Sequence, residues 1–341
     1  MARDLTSDPT GYQARELGMP SWSDGFIQQT EWGVGRKGWV SNSMYLLLAL
    51  FLGGVGAGAA LISLYLERAN AEWYFIAGYI VAVGGKGFFH LLFLGNPLRF
   101  WRAVLRPHSS WISRGIIALS LFAAAGLVYI LWPIAEVFGK AGAGEERALA
   151  ITCATLLVFL VVYDGFLLNA AVAMAAWNMS LMVLLFPIFS ALGGTGLVGA
   201  LYGPIHSDTP GESGYLDIRS LHEIEAVLLS VGVFALAAYM LTLYSDPFLR
   251  ASAWNAIVGR LRWVFWIFVV AGAIVVPLVV STVSLETDLS VALLSAVALI
   301  AVVGDYAFKF VIFSIGGYQQ QYAAKGQPWL HPTHWTAELH H

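Results

Sequence analysis

Four groups of ionisable residues stand inside stretches that are otherwise long and apolar. Lys86 and His90 are four residues apart in YIVAVGGKGFFHLLFLG, a spacing that puts both on one face of a helix. Charges at membrane depth cost several kcal/mol unless paired or hydrated, and they commonly mark ion, proton or substrate paths. Histidine as a residue type ordinarily titrates near neutrality and suits proton exchange; the structural alternative is that both side chains sit at a helix end and snorkel to the surface. Asp305 and Lys309 repeat the spacing with the acid first, which serves an ion pair joining helices as well as a proton relay. Asp164 follows Tyr163 in an apolar run, with Asn169 a turn and a half further on, and has no evident partner on its own segment. His222, Glu223 and Glu225 open a later apolar run, where carboxylates also suit the positive end of a helix dipole.

The elements that must position these groups are membrane helices. Of 341 residues, 58% are hydrophobic and only 11% charged, with a mean hydropathy of +0.71. A soluble domain is nearer half apolar and a quarter charged, so the composition is that of a polytopic membrane protein. The first 38 residues are polar and broken by Pro and Gly, and the first apolar run is long enough to span, so no secretory signal is expected. A span needs about 20 apolar residues. Eight are predicted, at 39–66, 72–94, 115–135, 148–174, 179–201, 222–244, 263–283 and 289–315. Each is too long and continuous for a barrel strand, so the fold class expected is all-α, eight transmembrane helices as two four-helix bundles. The Gly/Pro-rich loop 202–221 is read as the seam. The first bundle is assigned to 39–201 (helices 1–5), helices 6–8 to 222–318, and a polar tail to 319–341.

Both termini then fall on one side, and the basic residues near the membrane are divided unequally. Arg36, Lys37, Arg99, Arg102, Arg106, Arg114, Arg250, Arg260, Arg262 and Lys325 lie on the terminal side; Arg68, Lys140, Arg147 and Arg219 lie opposite. The positive-inside rule places both termini in the cytoplasm. Arg99, Arg102 and Arg106 alternate with Trp101 and Trp111, and this basic, aromatic stretch is read as a docking surface for a partner protein. In the first span, GGVGAGAA carries small residues at four-residue spacing, read as tight helix packing rather than a ligand site. Cys153 is the single cysteine, so this chain cannot form an internal disulfide, a CxxC zinc site, a cysteine-ligated iron–sulfur cluster or an attached c-type haem. His90 and His222 fall at opposite leaflets, so no bis-histidine haem is expected either.

Several segments in order resemble the polysulfide reductase membrane-subunit family (NrfD/PsrC-like). They are EWGVG and YLLLALFLGGVGAG at the first span, then HLLFLGNPLRFWR and LRPHSSWISRG after the second. YDGFLL and WNMSLMVLLFPIFSALGGTG follow in the fourth and fifth, and KFVIFSIGGYQQ closes the eighth. Lys309 stands where the family has arginine, and Ala176 where it has phenylalanine before Trp177. The resemblance implies a haem-free quinone-handling anchor of anaerobic respiration in a prokaryotic plasma membrane, binding menaquinone or ubiquinone. It also implies as partners a four-cluster ferredoxin-like iron–sulfur subunit and a catalytic subunit, typically a molybdopterin enzyme. Carried over, Tyr163 would hydrogen-bond a quinone carbonyl, with His90, Arg114, Asn42 and Tyr45 toward the same face.

The residue chemistry is compatible with that expectation. A quinone needs an apolar slot, donors for two carbonyls and a proton source. Tyr163 can donate, Asp164 and His90 can exchange protons, and Lys86 or Arg114 can stabilise developing negative charge. Lys86, Asp164, Asp305, Lys309 and Glu225 are expected to form a proton path. Two other readings compete: a proton- or ion-coupled secondary transporter using Asp164, Asp305 and Lys309, and a purely structural membrane anchor. Transporters commonly show inverted repeats and broken helices, and the sequence shows neither. Nothing in it points to nucleic acid.

Overall fold

The computed structural model describes residues 37–66, 71–94, 97–137, 142–172, 174–206, 218–246, 249–287 and 289–316. Eight helices in it are long and apolar enough to cross a membrane. We label them α1 (Met44–Leu66), α2 (Glu72–Phe93), α3 (Trp111–Ile130), α4 (Gly144–Asn169), α5 (Ser180–Tyr202), α6 (Ser220–Ser245), α7 (Val264–Ser284) and α8 (Val291–Ile315). Among the described residues there is no β-strand, and the all-α, eight-span expectation is met. A 3-10 helix, Pro97–Leu105, leads into α3, and a short α-helix, Arg250–Ile257, precedes α7.

Local chemistry explains where the helices start and stop. The Ser110 hydroxyl accepts from the Ser113 amide and caps α3 at Trp111, so Arg114 lies in its first turn and not, as the predicted boundary had it, in a loop. Ser290 caps α8 in the same way. α4 ends at Asn169, earlier than predicted, because the Asn178 amide donates to the Asn169 carbonyl from the connection that follows. At the other end of the chain, Trp177 Nε1 donates to the Ile312 carbonyl at 2.8 Å and serves one of the last unpaired carbonyls of α8. Two stretches are wound as π-helix, Ile80–Lys86 in α2 and Val264–Val275 in α7. Such segments are rare and recur at functional sites.

α1 and α5 are the centre of the molecule. Their buried shares, 72% and 67%, exceed those of every other span, the next being α4 at 44%. α1 packs on α2, α4, α5 and α8; α5 packs on α1, α4, α6 and α8. Small residues make these approaches possible. A Cβ on Gly58 would strike the Ser190 carbonyl of α5, and one on Gly56 would strike the Ala82 amide of α2. Around this centre, Phe75, Phe122 and Leu157 fill the space among α1–α4, while Phe186, Phe189 and Phe308 stack between α5 and α8. Phe234 and Leu241 of α6 and Val279 of α7 point outward, as lipid-facing residues do.

Gly58 therefore tests the packing directly. Gly58→Leu should destabilise the fold by at least the roughly 1–3 kcal/mol of an overpacked core, seen as loss of monodisperse protein in mild detergent. Gly84→Ala, whose Cβ would meet nothing within 4 Å, should behave as the unaltered chain.

Candidate functional site

The deepest feature of the structure is a pair of lysine–carboxylate contacts on either side of α1. Lys86 ends the π-helical stretch of α2 and donates to Asp164 Oδ1 of α4 at 2.6 Å, with side chains 3% and 0% exposed. Lys309 of α8 meets both oxygens of Asp305 at 2.6 Å, the two side chains being 0% and 1% exposed. Consecutive glycines of α1 give both lysines their room. A Cβ on Gly53 would occupy the position of the Lys86 side chain, with its Nζ only 2.7 Å away, and one on Gly54 would lie 3.3 Å from Lys309 Nζ. The helix-packing reading of this glycine run is thus incomplete: the same residues cradle two ammonium groups.

These charges are in mutual range. Asp164 is electrostatically coupled to Lys309 as well as to Lys86, and Asp305 to Asp164. Each lysine also lies over an aromatic ring, Lys86 over Tyr163 at 5.1 Å and Lys309 over Phe51 at 5.7 Å. Among the described residues, Asp164 Oδ2 and Ser190 Oγ have no hydrogen-bond partner, although both are buried. Buried polar atoms without partners are uncommon in native proteins and call for an explanation.

Tyr163, 2% exposed, lies flat against α3, where only a glycine fits. A Cβ on Gly115 would collide with its ring and stand 2.6 Å from its hydroxyl. Trp111 stacks on Phe166 at 4.7 Å and 9°, fixing the start of α3 against the end of α4. Arg114 does not reach into this space. Its guanidinium stacks on Trp111 at 4.5 Å and donates to the carbonyls of Pro107 and His108, each at 2.8 Å. His90 is one turn beyond Lys86 and is buried, with its ring near the Lys86 backbone. Tyr45 stacks on Phe89 at 6.4 Å, at the same end. The Asn42 side chain lies outside the described residues.

The structure therefore brings Lys86, Tyr163 and Asp164 together, with His90 and Tyr45 toward the end of α2, and sets Asp305 and Lys309 across α1. Glu225 stands apart, between α5, α6 and α7 near the opposite end. α6 sits in a helix that begins at Ile218, so Glu223 and Glu225 lie beyond its first turn and the helix dipole does not account for them. Arg99, Arg102, Arg106 and Trp101 are exposed on and beside the 3-10 helix. Sequence reasoning gave the Gly53–Gly54 run a packing role alone, and passed over Gly115, Ser190, Thr195 and Ser281. The signal for the last three was small polar residues in apolar runs, which also fits ordinary helix packing. Among the described residues, no three His, Cys, Asp or Glu side chains are placed to hold a metal ion.

Removing one partner of a buried ion pair strands the other. Lys86→Met should lower stability by about 3–5 kcal/mol, while the double change Lys86→Met with Asp164→Leu should recover most of that loss. Thermal unfolding in detergent would measure both; equal melting of the single and double variants would show that the pair does not hold α2 to α4.

No protein of curated function matches the chain. Residues 35–320 match the family model described as polysulphide reductase, NrfD, and the chain belongs to that family of membrane subunits of quinone-linked oxidoreductase complexes.

Proposed function

We propose that this chain exchanges electrons between a quinone pool and an iron–sulfur partner subunit, in a complex completed by a catalytic, molybdopterin-type subunit. The observation that carries the reading is the buried Tyr163–Lys86–Asp164 cluster, with Asp164 Oδ2 and Ser190 Oγ unpartnered among the described residues and His90 a turn away. Those orphaned polar atoms fit a ligand that presents two carbonyl oxygens and exchanges protons. When bound, a menaquinone or ubiquinone supplies the two-electron, two-proton carrier. Tyr163 then donates to a carbonyl, Lys86 offsets negative charge, and Asp164 and His90 hold or move protons at Oδ2 and Nδ1. Tyr45 stacks on Phe89 next to His90, and Arg114 holds the 107–108 backbone beside the start of α3.

The exposed Arg99, Arg102 and Arg106, with Trp101 beside them, are proposed as the docking face for the electron-transfer partner. A prokaryotic plasma membrane is proposed from the family, and cytoplasmic termini from the excess of basic residues on that side. The buried row Asp164, Lys86, Lys309 and Asp305 supports a proton path accompanying quinone turnover, with Glu225 as its outlying member.

Mild-detergent purification from the native membrane, with subunit identification and iron and molybdenum analysis, tests the assignment. Co-purification of an iron–sulfur subunit is expected; a chain that emerges alone and metal-free, while other complexes stay whole, would favour the secondary transporter. Loss of one neutral hydrogen bond in Tyr163→Phe should lower kcat/KM for quinol by roughly threefold to tenfold. Asp164→Asn should lower kcat by about 100-fold in the complex that assembles. Normal quinol kinetics in both variants would remove the site from this cluster. Replacing Arg99, Arg102 and Arg106 together with Ala should instead shift catalytic activity to the soluble fraction.

A further inference from the structure

The end of the molecule remote from His90 holds a second buried polar group, which quinone handling at Tyr163 does not use. Glu225 of α6 is 7% exposed, and its carboxylate is gripped from two other helices. Thr195 Oγ1 of α5 lies 3.1 Å from Oε1, and Ser281 Oγ of α7 donates to Oε2 at 2.7 Å. His222, one turn earlier on α6 and 8% exposed, sets Nδ1 3.2 Å from the same Oε2. Its Nε2 is buried with no partner among the described residues. The ring lines a cavity of about 30 Å³ formed by residues of α5, α6, α7 and α8. A water needs about 10–15 Å³ of such space and two or more polar neighbours, so the cavity has room for about two waters, with His222, Glu225 and Tyr202 to hold them.

Thr195 makes this cluster more than a satisfied buried carboxylate. Its hydroxyl has one hydrogen but two acceptors in reach, Glu225 Oε1 at 3.1 Å and the Leu192 carbonyl at 2.8 Å. With Glu225 ionised, the hydroxyl donates to the carboxylate. With Glu225 protonated, the carboxyl donates to Thr195 Oγ1, and the hydroxyl hydrogen turns to Leu192. Both protonation states therefore leave every group bonded, by rotation of one hydroxyl. Two residues before Thr195, a Cβ on Gly193 would lie 2.8 Å from Asp305 Oδ2, and three residues before that Ser190 abuts Gly54 beside Lys309. α5 thus presents Thr195, Gly193 and Ser190 in turn to Glu225, Asp305 and Lys309.

We propose that His222 and Glu225 form a proton-exchange port, in which water in this cavity gives one proton to the pair or takes one from it. Water held at His222 Nε2 passes its proton to Glu225 Oε1, which then donates to Thr195 Oγ1; the Thr195 hydroxyl turns to Leu192, while Nδ1–H and Ser281 go on donating to Oε2. One proton enters, one leaves, and no other bond changes. The facing titratable groups are few: Tyr202 from α5 and the exposed Glu223 beside the pair, while α7 and α8 contribute only Ser281 and apolar residues to the lining. The port rests on the proton-path part of the proposed function, and gives that path an opening on the face opposite the quinone cluster.

Two readouts on the whole purified complex test it. Infrared difference spectra between acid and alkaline buffer should contain a carboxyl C=O band that Glu225→Gln abolishes and that shifts in Thr195→Val but not in Thr195→Ser. In proteoliposomes, protons moved per quinol oxidised should fall in Glu225→Gln, His222→Gln and Thr195→Val to the value set by quinol chemistry alone, with Thr195→Ser retaining the full ratio. The Thr195 pair decides the matter if a His222 or Glu225 variant fails to assemble. A carboxyl band absent from the unaltered complex, or persisting in Glu225→Gln, overturns the port; so does an unaltered ratio in the variants. Failure of the unaltered complex to oxidise quinol would overturn the proposed function instead, and the infrared spectra would still decide the port.

Discussion

Close contact between α1 and its neighbours is the constraint on which the rest of this structure depends. Inside a membrane there is no water to compensate a charge, so a lysine survives at depth only with a carboxylate against it and little free space around it. Both requirements are met at Gly53 and Gly54. Without side chains there, α1 comes near enough for Lys86 and Lys309 to lie against its backbone while each keeps its acid. Four charges are thereby gathered around one helix, close enough for Asp164 to be coupled to Lys309 across it.

That arrangement divides labour among the helices. α1 and α5, the most buried spans, carry few ionisable groups and act as the surface against which the others place theirs. α2, α4 and α8 bring the charges, each on a helix with lipid on its outer side. The end near His90 is built differently: there a guanidinium group is tied to backbone carbonyls and a tryptophan ring. Arg114 exemplifies this, since its donors are spent on the 107–108 turn and its contribution is to hold that turn in place.

Much of this was legible in the sequence, because hydropathy over about 20 residues is a strong signal and a charge within it stands out. All eight spans and the buried Lys86, Asp164, Asp305, Lys309 and Glu225 could be read that way. Partnership could not. Asp164 has no complement on its own helix, and nothing in the spacing says that Lys86, 78 residues away, is the group that neutralises it. Boundaries were missed where caps decide them: Ser110 starts α3 before its apolar run begins, and Asn178 closes α4 from outside it. Thr195 and Ser281 were invisible as site residues, since a hydroxyl in a membrane helix usually bonds its own preceding turn, as Thr152 and Thr155 do here.

The π-helical turns of α2 set a limit of another kind. Lys86 is the last residue of that widened stretch, and its direction depends on how many residues precede it. Deleting one residue at Gly84–Gly85 would rotate everything beyond through about 100°, swinging Lys86 from Asp164 toward lipid and turning His90 with it. Substitutions on the lipid face of α2 leave that geometry alone, whereas a change of length does not. In this helix, residue count is constrained more tightly than residue identity.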